Sequence, residues 1–320
     1  MELVQKVIGR ELAEFEKKFA DSVKSSNPLL DRVMRFIIKR KGKQMRPMFV
    51  FLSAHIAAGI NESTYRAASL IELLHTATLV HDDVVDNAMI RRNFFSINAL
   101  WKNKIAVLVG DYLLSKGLLL SLENDDYQIL KLTSRAVKEM SEGELLQMEK
   151  ARKLDIKEDI YFEIIRAKTA SLLSAACAAG AFSATTNHEI AEKFRLFGEK
   201  VGIAFQIKDD LFDYGQDDVG KPRGIDIKEK KMTLPLIYTL QVVEKEVRRK
   251  IIYIVKNQNT DKKKVNEVIS YVQQSGGIAY AHEKMKQYQR EAIDILHSYP
   301  DTPARQAMEE LVNYVIDRKY

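Results

Sequence analysis

A chain of 320 residues, 46% apolar and 29% charged, has an ordinary soluble composition and enough apolar content for a large core. Fifty basic residues against 44 acidic ones leave a net charge of +6, which permits an anionic partner without identifying one. A single cysteine, Cys177, excludes an internal disulfide and argues against a cysteine-based zinc site, so a reducing cytoplasm is the expected location.

The chain opens without a charged segment followed by an apolar one, so no secretory signal is expected, and the first 25 or so residues read as an outer amphipathic helix. Asn27-Pro28 marks the first break. The stretch KGKQMRP at 41–47 precedes the next helix, and Gly59-Ile60-Asn61 interrupts again. Leu70, Leu73, Leu74, Ala77 and Val80 then recur with helical spacing and lead into HDDVVD at 81–86. The apolar run IAVLVGDYLLSKGLLLSL carries Asp111 and Lys116, which argues against a membrane span. Further breaks fall at Glu123 to Asp126, Gly215 to Gly224 and Ser275 to Gly277. Ile160, Ile164, Ala167 and Leu172 again approximate a helical stripe. The uncharged run from Thr169 to His188 is rich in Ala, Ser and Thr, as expected for close helix packing. No proline lies between Pro47 and Pro222, strand-like alternation is almost absent, and no Gly/Ser linker divides the chain. The expectation is an all-α protein of ten or more helices in one domain spanning 1–320.

One pattern occurs twice: HDDVVD at 81–86 and KDDLFD at 208–213. Residues four apart share a helix face, so Asp82 and Asp86 point one way, as do Asp209 and Asp213. A single such pair often only decorates a solvated surface. Two pairs with Val84, Val85, Leu211 and Phe212 between the acids are different, because carboxylates gathered among apolar groups repel without cations. Oxygen-only ligands suit Mg²⁺, which completes its shell with water and phosphate oxygens. Basic residues accompany both motifs: Lys43 and Arg46 beside Gly42, Arg91 and Arg92, Lys168 before Thr169, and Lys221 and Lys231. Gln206 lies one turn before Asp210. Arginine grips phosphate oxygens in a bidentate fork, so a diphosphate bridged through magnesium is the expected ligand. No aromatic interleaving supports a nucleic-acid partner. His55, His188, His282 and His297 show no ligand spacing, and His81 precedes the acids as a residue that orients Asp82 or covers the site.

From about residue 25 onward the chain resembles the trans-isoprenyl diphosphate synthases, the all-trans polyprenyl class. The likeness rests on KGKQMRP, LLHTATLVHDDVVDNAMIRR, AKTASLL, FQIKDDLFDY and the stretch from Gly220 to Pro235 that ends in TLP. It implies an antiparallel helical bundle around a large central cavity, assembled as a homodimer. It implies that Asp82, Asp86 and Asp209 hold three Mg²⁺, with Asp83, Asp210 and Asp213 supporting them directly or through water. Arg91, Lys168, Thr169, Gln206, Lys221 and Lys231 would contact an allylic diphosphate, and Gly42, Lys43, Arg46, His75 and Arg92 an isopentenyl diphosphate. Two residues depart from the family pattern, Lys41 and Lys230, each where the family has glycine.

The implied reaction ionises the allylic C–O bond, lets the isopentenyl double bond attack the cation, and passes the lost proton to the released diphosphate. Ala77 and Thr78, five and four residues before Asp82, are small where early-stopping members carry a bulky aromatic. Since one helical turn rises about 5.4 Å, near one isoprene unit, a long product of roughly C30 to C45 is expected, as for quinone side chains. The alternative is a C15 to C20 product. Membrane contact is expected only transiently, for product release. Three rivals are weaker. A terpene cyclase would not need Lys43, Arg46 and His75. A di-iron bundle would need a second copy of the Glu72-x-x-His75 pattern. A non-catalytic subunit of a heteromeric synthase would characteristically lose an aspartate motif.

Overall fold

The computed structural model describes residues 1–39, 42–91, 94–151, 154, 157–215 and 224–317. Lys41, Arg92 and Lys221 lie outside the described residues. The described elements are helical apart from one two-stranded hairpin. They group into two compact units, Met1–Val137 with Leu172–Arg195 and Tyr299–Glu310, and Lys138–Ser171 with Leu196–Ser298 and Leu311–Tyr320. Each unit draws on separate parts of the chain, so no linker in the sequence marks them off.

In the first unit α1 (Glu2–Ser22) buries Val4, Ile8, Leu12, Phe15 and Phe19, one stripe at intervals of three and four. Phe15 meets Phe51 of α3 (Met45–Ala57) edge-on at 5.9 Å, and Phe51 meets Tyr65 of α4 (Glu62–Val85) at 5.1 Å. Between them α2 (Pro28–Lys39) starts where Asn27 Oδ1 accepts from the Leu29 and Leu30 amides. The break at Asn61 proves to be a capping box: its side chain accepts from the Thr64 amide while Thr64 returns a bond to the Asn61 amide.

The hairpin pairs β1 (Ile90–Arg91) with β2 (Phe94–Phe95), and Ser96 then caps α5 (Ile97–Leu122). α5 kinks at Lys102, whose φ is 74°. A Cβ at Gly110 would stand 2.1 Å from His81, and one at Gly117 2.8 Å from Leu70 with Leu73 and Leu74 close by. α5 therefore runs antiparallel to α4 in contact, against the stripe of Leu70, Leu74 and His81 that also contains the fully buried Ala77. By length and composition α5 is apolar enough to cross a membrane even with Asp111 and Lys116, and 33% of its most apolar stretch is buried. Leu108, Leu118, Leu119 and Leu122 are exposed along it.

α6 (Tyr127–Ala151) comes next. α7 (Glu158–Ile165) runs into one π-helical turn, Arg166–Ala170, and on into α8 (Ser171–Thr185). α8 is the uncharged run, buried almost throughout. α9 (His188–Phe212) carries the second aspartate motif at its C-terminus. α10 (Ile225–Lys228), α11 (Leu234–Val242), α12 (Lys245–Asn257), α13 (Lys262–Gln274) and α14 (Gly277–His297) pack within the second unit, and α15 (Pro303–Asp317) ends the described chain. The expected breaks at 27–28, 59–61, 123–126 and 275–277 fall at helix boundaries, and the one expected at 215–224 lies largely outside the described residues.

Candidate active site

In the first unit α4 ends inside its own aspartate motif. The Asp86 amide bonds to the Asp82 carbonyl at 2.8 Å, and Asn87 turns the chain with φ 51°. Asp82 is half-buried and Asp86 exposed, while Asp83 is buried on another side of the helix. Arg91 Nε donates to Asp83 Oδ1 at 2.6 Å, and Asn98 Nδ2 donates to the Asp83 carbonyl at 3.1 Å. The motif thus divides into two outward acids, Asp82 and Asp86, and an inward one whose charge is matched by an arginine.

A cavity of about 130 Å³ opens beside this turn, lined by Gly42, Glu72, His75, Asp83 and Arg91 with an apolar wall that includes Phe36, Phe94 and Phe95. It brings Gly42 and His75, expected in one set, together with Arg91, which was expected with the allylic set around Lys168. Lys43 is exposed and Arg46 half-buried at the start of α3, and neither is among the cavity's described lining residues. Thr78 is half-buried and bonds back to the His75 carbonyl at 2.9 Å.

In the second unit the π-turn carries Lys168 and Thr169. An extra residue in a helical turn rotates the side chains beyond it, and such turns are frequent at functional sites. Two glycines make room for it: a Cβ at Gly143 of α6 would lie 2.7 Å from Ala167 Cβ, and one at Gly202 of α9 2.5 Å from Ala170 Cα. Thr169 Oγ1 donates to Gln206 Oε1 at 2.7 Å, Gln206 Nε2 to Asp210 Oδ1 at 2.9 Å, and Tyr161 OH to Asp210 Oδ2 at 2.7 Å. Lys168 Nζ pairs with Glu144 at 2.5 Å and reaches Gln147 at 3.4 Å. Lys231 pairs with Glu229 at 2.5 Å and Asp226 at 3.7 Å. Lys168, Thr169, Gln206, Asp210 and Lys231 line one cleft of about 210 Å³ with Tyr161 and Asp226. The two last were not singled out from the sequence. Asp226 lies in the stretch that carried the resemblance, whereas Tyr161 has no local signal.

Burial pushes the Asp210 carboxyl up to about 7, helped by the nearby Asp226 charge and opposed by Tyr161 and Gln206. Burial also raises Asp213, against the amides of Asp226, Ile225 and Ile227. Burial pulls Lys231 down, but Glu229, Asp226 and Asp210 outweigh it and hold the ammonium above its usual range. The Tyr161 phenol is driven well above its usual range, first by burial and then by Asp210, so it remains a donor. Cys177 is buried and its thiol is pushed up to about 12, which leaves it a packing residue and no nucleophile. At Lys230, where the resemblance implies glycine, the backbone is left-handed with φ 58°.

The donors suit magnesium. Both motifs offer carboxylate oxygens, and Asp213 Oδ2 is buried with no hydrogen-bond partner while Oδ1 accepts the Ile225 amide at 2.7 Å. Among the described residues no three His, Cys, Asp or Glu side chains gather to hold an ion unaided.

These features define an all-helical protein with two aspartate-rich helix ends and a cleft lined by Lys168, Lys231, Asp210 and Asp226. The chain belongs to the polyprenyl synthetase family, whose model matches residues 27–272 and whose members are prenyltransferases. It is 36% identical over 314 residues to an all-trans-nonaprenyl-diphosphate synthase (geranyl-diphosphate specific) of Rhodobacter capsulatus, covering 97% of this chain and 96% of the relative. The fold superimposes on a decaprenyl diphosphate synthase of the same organism with a TM-score of 0.93, at 30% identity and 98% coverage of both chains. It also superimposes on a geranylgeranyl pyrophosphate synthase of Bacteroides thetaiotaomicron with a TM-score of 0.84, at 37% identity and coverage of 99% and 98%. The expected family and the all-helical fold class are both borne out.

Proposed function

We propose that the chain is a magnesium-dependent synthase that condenses isopentenyl diphosphate with an allylic diphosphate, head to tail in trans, to a long polyprenyl diphosphate of roughly C30 to C45, one isoprene unit per helical turn of tunnel. The observation that carries this is the second-unit cleft, where Lys168, Thr169, Gln206 and Lys231 stand around Asp210. Two ammonium groups and adjacent polar side chains there suit a diphosphate leaving group. Asp82, Asp86 and Asp209 would ligate magnesium, three ions by the family pattern. Asp213 would complete the set and Asp83 would act through Arg91. Bound magnesium supplies charge neutralisation for the departing diphosphate.

The residues themselves do the rest. Lys168 and Lys231 would hold the leaving group, and in the first-unit cavity Gly42 and His75 would receive isopentenyl diphosphate against the apolar side chains of Phe36, Phe94 and Phe95, with Lys43 and Arg46 at its approach. Released diphosphate takes the final proton, so no protein base is required. A long product is favoured by Ala77 and Thr78, which place no aromatic floor before Asp82, and by the nonaprenyl and decaprenyl relatives. The geranylgeranyl likeness keeps a C20 product as the alternative. The exposed leucines of α5 support a homodimer, and the single free thiol supports a cytoplasmic setting; membrane contact would be transient, for product release. Purified protein incubated with isopentenyl diphosphate, a C15 primer and Mg²⁺ should yield polyprenyl diphosphates sized by chromatography, and chelation should stop it. No condensation under those conditions overturns the reading.

A further inference from the structure

We propose that Tyr161 is a positioning residue for the diphosphate cleft: its hydroxyl fixes the Asp210 carboxylate, which orients the Gln206 amide and, through it, the Thr169 hydroxyl on the π-turn. The inference rests on the diphosphate reading above. Donor direction carries it. An ionised carboxylate only accepts, so Gln206 must turn its NH₂ toward Asp210 Oδ1, and its Oε1 is then left to accept from Thr169. That orientation holds only while Asp210 is itself pinned, and Tyr161 at 2.7 Å is the donor to its second oxygen. The chain of bonds ties α7 to α9 and back to the π-turn, and Gly143 and Gly202 let the π-turn approach both neighbours.

Tyr161 is buried and its ring packs on Phe162 at 5.4 Å, so a phenylalanine would serve packing equally well. The hydroxyl is what the cleft uses. Without it Asp210 Oδ2 loses that bond in a buried setting, and the Gln206 amide loses its fixed orientation.

The test is Tyr161→Phe. Losing one hydrogen bond to a buried charge should raise the allylic KM roughly tenfold, leaving the isopentenyl KM unchanged. Without turnover, thermal stabilisation by Mg²⁺ with inorganic diphosphate should require roughly tenfold more diphosphate than in the wild type. In an Asp210→Asn background the same change should have little further effect, because the pair acts as a unit. That background also covers a Tyr161→Phe protein that folds poorly, since the asparagine amide is uncharged. Unchanged allylic KM and unchanged diphosphate titration overturn the inference. So do effects of Tyr161→Phe that simply add to those of Asp210→Asn. A wild type that binds Mg²⁺ and diphosphate yet makes no polyprenyl product overturns the functional reading instead, and leaves the titration to judge Tyr161.

Discussion

Gly202→Ala measures how closely α9 approaches the π-turn. The new Cβ would lie 2.5 Å from Ala170 Cα and 2.7 Å from Ala170 Cβ. Carbon atoms rest at about 3.5 Å or more, so the two segments must part by about 1 Å, and the obstructing Cα is backbone with no rotamer to give way. Overpacking of this kind costs about 1–3 kcal/mol, against which alanine regains about 1 kcal/mol of helix propensity. The propensity part has its own control. Gly9→Ala in α1 places its Cβ 3.1 Å from Gln5 Oε1, the movable end of an i−4 side chain. Gly9→Ala should therefore stabilise by up to about 1 kcal/mol, and the difference between the two variants should isolate a clash of about 1–3 kcal/mol. Urea denaturation of both proteins under one condition reads that difference. Because Gln206 sits one turn beyond Gly202 and receives Thr169 at 2.7 Å, Gly202→Ala should also raise the allylic KM. Equal stability of the two alanine variants, with an unchanged allylic KM, refutes the close approach.

Asp210→Asn should change the pH dependence of stability. A carboxyl raised from 3.8 to about 7 in the fold leaves stability intact below pH 4 and removes it as pH rises through 7, by about 4 kcal/mol at 1.36 kcal/mol per pH unit. The ligand-free variant should then be the more stable protein at pH 8, with the gap closing near pH 4, and parallel urea profiles would refute this. Ala77→Tyr should shorten the product seen by chromatography. An unchanged length with lowered stability would show that Ala77 only packs α4 on α5. Glu144→Gln should free Lys168 from its 2.5 Å partner and strengthen allylic diphosphate binding about two- to fivefold, since a partly exposed pair is worth up to about 1 kcal/mol. Weaker binding would mean that Glu144 aims the lysine instead of competing for it.

Much of the fold was legible because helix breaks have local causes. Asn27-Pro28 and Asn61 announce caps in their own chemistry, and the four-residue spacing of Asp82 and Asp86 reflects the helix period. The π-turn was not legible. Its sign is a pair of glycines on α6 and α9, 59 residues apart (143 to 202), which no local window joins. The split of the first motif was half legible: spacing sets Asp83 on another face from Asp82, but only the hairpin brings Arg91 back to it. Tyr161 is seven residues before Lys168, a helical interval, yet the sequence holds no hint that its hydroxyl would find Asp210. Lys230 went the other way. The resemblance implies glycine there, and the lysine that replaces it has φ 58°, in the left-handed region that glycine adopts without strain.

Three of the cations expected to meet phosphate are already held by carboxylates: Arg91 by Asp83, Lys168 by Glu144, and Lys231 by Glu229 and Asp226. Such pairing offsets the cost of an unpaired cation in a partly buried setting. Binding is then an exchange of partners. On the proposed function, substrate diphosphate would have to outcompete Glu144 and Glu229 for the two lysines, helped by magnesium that screens it from the carboxylates. This gives the carboxylates a second consequence. On the same proposal, Asp210 and Asp226 in the cleft would repel, without the metal, the diphosphate that the lysines would attract, so substrate and metal affinity would be coupled through charge.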